Sequence, residues 1–133
     1  MALSVASARP ASRAVPDYSL YIDGRWTPPS AGRWFDNFNP ATGEPVARVA
    51  LGMRADAIAA VDAAHRARTS WANMIVAERS GYLLRAADVL AGRVEEIRDV
   101  IIAESGSTFG KAMFAIDYCI DLLRSAAADA RHI

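Results

Sequence analysis

Few side chains in this sequence stand at spacings that do chemistry. The run Glu104-Ser105-Gly106-Ser107-Thr108-Phe109-Gly110-Lys111-Ala112 comes nearest, because it crowds glycines, hydroxyls and a lysine like a phosphate loop. Such a loop needs four residues between its first glycine and the Gly-Lys pair, then a Ser or Thr for magnesium. Three residues separate Gly106 from Gly110, and Ala112 holds the hydroxyl position. The run therefore reads as a helix stop and restart. Cys119 is the single cysteine, with Lys111 and Arg124 the nearest cations in sequence. A nucleophilic thiol needs a base or cation beside it, whereas a lone thiol in an apolar helical pattern reads as a small core residue. His65 and His132 stand apart, and together with Cys119 they are too few for a zinc site. Glu95 and Glu96 are adjacent on a helix and diverge, which suits a solvated face better than paired-carboxylate chemistry. No Gly-x-Gly-x-x-Gly run occurs. The residues alone yield no active site.

The elements that would carry these residues fall into two periods. From Tyr18 to about Val49 the chain is β-prone and cut by turns. Leu20-Tyr21-Ile22 leads into Asp23-Gly24 and Arg25-Trp26, a strong hairpin signal because glycine accepts the positive φ the turn demands. Trp34 to Phe38 reads as a strand, Asn39-Pro40-Ala41-Thr42-Gly43 as a turn and Val46 to Val49 as the return. Gly24 and Gly43 are expected at positive φ. From Asp56 the period is helical, with Ile58, Val61, Ala64 and Trp71 on a first stripe. Leu83, Ala86, Ala87 and Leu90 mark a second helix that follows Glu78-Arg79 and stops near Gly92. Val94, Ile97, Val100 and Ile101 mark a third, ended by Gly106. Met113, Ile116, Ile120, Leu123 and Ala127 mark a fourth.

The chain has 133 residues with 15 basic and 15 acidic side chains. That balance gives no electrostatic reason to expect nucleic acid or an anionic membrane as partner. No run of about 18 apolar residues spans a membrane. One cysteine fits a reducing compartment, and a cytoplasmic location is expected. Residues 1–17 read as a disordered tail; they share the Ala, Ser and Arg bias of a transit peptide, but Arg9 and Arg13 are few and Pro10 and Pro16 interrupt any helix. About 30 residues of hairpins cannot form the sheet that four amphipathic helices would cover, so the inventory reads as a fragment.

The order of the motifs resembles the aldehyde dehydrogenase superfamily. Members open with phrases similar to Tyr21-Ile22-Asp23-Gly24-Arg25-Trp26 and Phe38-Asn39-Pro40-Ala41-Thr42-Gly43-Glu44, followed by a strand like Val46-Ala47-Arg48-Val49. A helix like Ala57 to Trp71 follows, then Glu78-Arg79 leading to Leu83-Leu84-Arg85-Ala86-Ala87-Asp88-Val89-Leu90. Glu104-Ser105-Gly106 stands where the family has its Glu-Thr/Ser-Gly motif, and Leu123-Arg124 closes the last helix. The likeness covers about residues 18–130. After Gly106 the chain departs from the common pattern: Ser107-Thr108 replaces Lys-Pro, and Ala115 stands where an acid is frequent. The Glu-Ser-Gly-Ser-Thr form looks like the branch acting on benzaldehyde-type and vanillin-type substrates.

The resemblance implies an α/β fold of Rossmann type in an enzyme several times longer. Residues 18–133 would be the N-terminal part of its NAD(P)-binding domain, with hairpins over 18–50 and about four helices over 56–131. It implies oxidation of an aldehyde to an acid through a cysteine thiolate, hydride transfer to NAD or NADP, and thioester hydrolysis with a glutamate base. The complete enzyme would be a homo-oligomer. The family's catalytic cysteine, glutamate, oxyanion asparagine and cofactor lysine match no position here, so no catalytic or cofactor residue carries over and no cofactor is expected on this chain alone. Two weaker correspondences remain. An alkali cation would take the Glu104 carboxylate and a carbonyl of Phe38 or Asn37, although Glu104 is equally placed to be a solvated helix end. Phe114 and Tyr118 would border the substrate tunnel, or simply pack as apolar helix residues.

Two functions follow from different classes: an inactive N-terminal piece of an NAD(P)-dependent dehydrogenase, or a non-catalytic helical module that binds a partner. In either case the stripes carried by Ile58, Val61, Leu83, Leu90, Ile97, Ile101, Ile116 and Leu123 are expected to leave part of their apolar surface uncovered.

Overall fold

A computed structural model describes residues 15–130. Nine elements follow in order: β1 (Asp17–Tyr18), β2 (Leu20–Ile22), β3 (Arg25–Thr27), β4 (Trp34–Phe38), β5 (Pro45–Ala50), α1 (Arg54–Asn73), α2 (Val76–Ala91), α3 (Val94–Ser105) and α4 (Phe109–Asp129). Short strands and then four helices, the inventory expected from the sequence, are what the described residues form.

Both turns read from the sequence form for the stated reason. β2 and β3 pair antiparallel around Asp23 (φ 54°) and Gly24 (φ 77°), the double positive φ of a type I′ turn. β4 and β5 pair antiparallel around Asn39 to Gly43. There the Asn39 side-chain oxygen accepts from the amides of Ala41 at 2.8 Å and Thr42 at 3.3 Å, and Gly43 sits at φ 73°. A side chain capping its own turn in this way is why asparagine suits the position. β1 adds a pairing that the hydrophobic pattern did not disclose. It runs parallel to β5, giving the sheet order β1-β5-β4. Asp17, within the segment read as tail, is thereby a strand residue, and its carboxylate takes two bonds from Arg48 at 3.0 and 2.7 Å. Residues 1–14 lie outside the described residues.

Helix ends explain the helical half. Thr108 caps α4, its hydroxyl accepting from Lys111 N–H at 3.4 Å. Gly106, at φ 64°, ends α3 in the left-handed conformation that favours glycine. The Glu104 to Ala112 run is thus a stop followed by a cap, as its spacing indicates. α2 begins at Val76, so Glu78 lies in its first turn rather than ahead of it, and α1 begins at Arg54.

The core lies among α2, α3 and α4, where Ala87, Ile116 and Ile120 are buried and Leu90, Val94, Ile97, Ile101 and Leu123 pack against them. Two expectations need correction. Cys119 is exposed on α4, not a core residue, because Ile116 and Ile120 take the buried positions on either side. Val100 turns away from this core toward the sheet. The first stripe is uncovered, as expected, with Ile58 50 % and Val61 67 % exposed, because α1 meets little more than β2.

Two outcomes are expected. Gly24→Val or Gly43→Val should each destabilise by about 1 kcal/mol or more; an added Cβ meets nothing within 4 Å at either site, so the cost is conformational. Urea melts of the two variants check this. The chain should also bind a hydrophobic dye or self-associate, because Ile58, Val61, Phe114, Tyr118 and Leu122 are exposed together on two helices. A sharp two-state melt of a dye-free monomer would contradict it.

Candidate functional site

A cleft of about 700 Å³ lies between the three-stranded sheet and α3. Tyr18, Phe35 and Asn37 line the sheet side, and Ile97, Val100 and Glu104 the helix side. Strand alternation puts Phe35 and Asn37 on one face of β4. Helix spacing brings Ile97, Val100 and Glu104 to one side of α3. Of the residues singled out for a cation, Asn37 and Glu104 line this cleft. Phe38 follows at the exposed end of β4, beside a register irregularity.

Electrostatics in the cleft favour fixed ions over acid–base chemistry. Arg93 grips Glu96 with bonds of 2.8 and 2.6 Å, and this hydrogen-bonded pairing holds the Glu96 carboxyl below its usual range while raising the Arg93 guanidinium. A carboxylate held ionised in this way is a poor proton acceptor. Among the described residues, no group of three or more His, Cys, Asp and Glu is placed to hold a metal.

Phe114 and Tyr118 come together elsewhere, stacked on the outer face of α4 with ring centroids 6.1 Å apart and planes at 17°. They are 70 % and 59 % exposed, so they form an aromatic surface rather than packing within this chain. Cys119 follows on the same helix with its thiol exposed.

Sequence reasoning missed the most tightly held carboxylate. Asp56, 7 % exposed, accepts from Met53 N–H at 2.8 Å and from the Ser30 amide and hydroxyl at 3.0 Å each. It is half of a capping arrangement at the start of α1, and it fastens the Pro28 to Gly32 loop to that helix. An acid in a helix's first turn after a Pro-Pro-Ser loop was the available signal. The Met53 bond leads in drawing the Asp56 carboxyl below its usual value, against the opposing effect of burial.

The sequence model of the Aldehyde dehydrogenase family matches residues 26–133. The chain belongs to the aldehyde dehydrogenase family. It is 32 % identical to the D-glyceraldehyde dehydrogenase (NADP(+)) of Thermoplasma acidophilum, over 88 % of this chain and 24 % of that protein. The crystal structure of an NAD-dependent benzaldehyde dehydrogenase from Corynebacterium glutamicum superposes with a TM-score of 0.79 at 34 % identity, covering 83 % of this chain and 24 % of that one. Lactaldehyde dehydrogenase from Escherichia coli gives a TM-score of 0.86 at 29 % identity, over 90 % and 25 %. The chain therefore spans about a quarter of the length of these aldehyde dehydrogenases. Among the described residues, no helix is long and apolar enough to cross a membrane.

Ionised Asp56 contributes stability that is fully present above the ordinary carboxylate range, about pH 4. That contribution is lost as pH falls through the lowered folded value. We therefore expect Asp56→Asn to lower the thermal midpoint at pH 7, and the gap from the parent chain to close on acidification. Circular dichroism melts between about pH 7 and pH 3 read this directly; equal midpoints at pH 7 would remove the clamp from the account.

Proposed function

We propose that this chain is the N-terminal part of an NAD(P)-dependent aldehyde dehydrogenase that converts an aldehyde to a carboxylic acid, and that it is inactive alone. The observation that carries the proposal is the family match over residues 26–133 in a chain that spans a quarter of its relatives' length. The bound dinucleotide supplies a hydride acceptor in that chemistry. What this chain's residues contribute is support: the α2–α4 core and the sheet-to-α3 cleft. An aromatic aldehyde is favoured by the Glu104-Ser105-Gly106-Ser107-Thr108 form and by the likeness to the Corynebacterium benzaldehyde dehydrogenase. The cofactor is NAD or NADP, and the whole enzyme is a cytoplasmic homo-oligomer.

Within the same reading, Glu104 and a carbonyl of Phe38 or Asn37 belong to the donor set of an alkali cation. Carboxylate and carbonyl oxygens suit a hard cation, and the shared cleft of Asn37 and Glu104 supports the assignment. Phe114 and Tyr118 lie at the mouth of the aldehyde tunnel, supported by their stacked, exposed rings. The exposed Ile58, Val61, Phe114 and Tyr118 also favour a second reading, a non-catalytic module that binds another polypeptide through α1 and α4.

Purified residues 1–133 should reduce neither NAD nor NADP with benzaldehyde or an aliphatic aldehyde, followed by absorbance of the reduced cofactor. Turnover that disappears in Cys119→Ser would overturn the assignment and make the exposed thiol a nucleophile.

A further inference from the structure

Two helix faces left uncovered in this chain carry charge in the same order, cation first and acid last. On α1 the outward stripe reads Arg54, Ile58 and Val61 with Asp62 beside it, and all four are exposed. Spacings of four and three residues keep the first three on one side of the helix. On α4 the outward face reads Lys111, Phe114, Asp117, Tyr118 and Asp121, again all exposed. Each face is open to solvent, so within one chain they do not cover each other. None of the five charged side chains takes part in an ion pair among the described residues.

Spacing agrees with charge. Eight residues separate Arg54 from Asp62, 62 − 54. Eight also separate Lys111 from the midpoint of Asp117 and Asp121, 119 − 111. At 1.5 Å per residue both separations are about 12 Å along the helix axis. Laid antiparallel, Arg54 falls between Asp117 and Asp121, Asp62 falls at Lys111, and Ile58 and Val61 meet Phe114 and Tyr118. A parallel arrangement sets Arg54 beside Lys111 and Asp62 beside the two aspartates, which is repulsion at both ends. In the antiparallel register His65, Arg68 and Asp129 overhang the two helix starts.

We propose that the outward face of α1 docks antiparallel on the outward face of α4 of a second copy of this chain. The inference rests on the reading of α1 and α4 as a surface for a polypeptide, and it names that polypeptide. Apolar contact among Ile58, Val61, Phe114 and Tyr118 supplies the attraction, and the charges at either end set direction and register. The contact joins unlike faces, so each added copy keeps one of each open. Assembly therefore grows with concentration unless it closes as a ring.

Sedimentation velocity on residues 1–133 over a concentration series tests the contact. The parent chain should self-associate, and less so as salt rises from about 0.05 to 0.5 M, because exposed charges are then screened. Arg54→Glu in one chain, and Asp117→Arg with Asp121→Arg in another, should each weaken association by about tenfold through like charges set opposite. An equimolar mixture of the two variant chains should associate as the parent does, since the altered α1 then meets the altered α4. A glutamate at the first position of α1 suits the helix dipole, so helix content by circular dichroism should match the parent. A parent chain that stays monomeric overturns the proposal. If that monomer binds a hydrophobic dye, the surface reading stands; if it does not, that reading falls as well. Association that salt leaves unchanged, variants that associate as tightly as the parent, or a mixture no more associated than its components would also overturn the contact.

Discussion

A Cβ built on Gly106 would lie 3.0 Å from Pro40 Cγ, and Gly106 holds φ at 64°. Two demands meet at this one residue. The left-handed backbone ends α3 and lets α4 restart after only Ser107 and Thr108, and the missing side chain lets the β4–β5 turn approach the helical corner. An L side chain would meet strain and a contact at the steric limit together. The strands and the helices are thus fixed to each other where the Asn-Pro turn touches the Glu-Ser-Gly corner. That contact holds the sheet across from α3, and it puts Asn37 and Glu104 into one cleft although 67 positions separate them, 104 − 37.

The helical core achieves proximity through small residues. Ala87 and Ala112 are fully buried and Ala127 nearly so, which lets α2 and α4 pack closely. Each alanine removes little apolar area from water, and stabilisation scales with that area. Ile116 and Ile120 supply most of the buried volume, while the bulkier Phe114, Tyr118 and Leu122 lie on the opposite side of α4. A helix apolar on two faces suits a position between two layers. α4 has one layer here, the α2–α3 side, and presents the other face to solvent.

Short-range signals were legible and long-range ones were not. Asp23-Gly24, Asn39 to Gly43 and the Gly106 stop each state a backbone requirement that a few neighbouring residues satisfy, so the sequence alone disclosed them. The parallel β1–β5 pairing is two residues long and joins positions 31 apart, leaving no periodic trace. Eight members of the expected apolar stripes, Ala87, Leu90, Val94, Ile97, Ile101, Ile116, Ile120 and Leu123, found one another in the core, whereas Ile58 and Val61 did not. Periodicity shows that a helix has an apolar face, yet it is silent about which partner reaches it. The cleft was half legible: the motif order singled out Glu104 and Asn37, but Arg93–Glu96 is an ordinary surface spacing until the sheet is laid against it.

α1 shows how an uncovered face can still be held in a defined direction. At its start Asp56 ties the helix to Ser30 through two hydrogen bonds and to Met53 through a third. Near its end Trp71 packs against Tyr82 at 5.6 Å between ring centroids, with the Arg85 guanidinium 4.4 Å over the Tyr82 ring. Tilted aromatic pairs and cation–π contacts each contribute about 1 kcal/mol and are directional. The two ends therefore fix the helix in azimuth as well as position. Ile58 and Val61 lie between these anchors and face solvent, while Asp56 and Ala63 take the buried side of the helix. The polar clamp at Asp56 is the local device that ties the start of α1 to the Ser30 loop and so sets which side of the helix meets it.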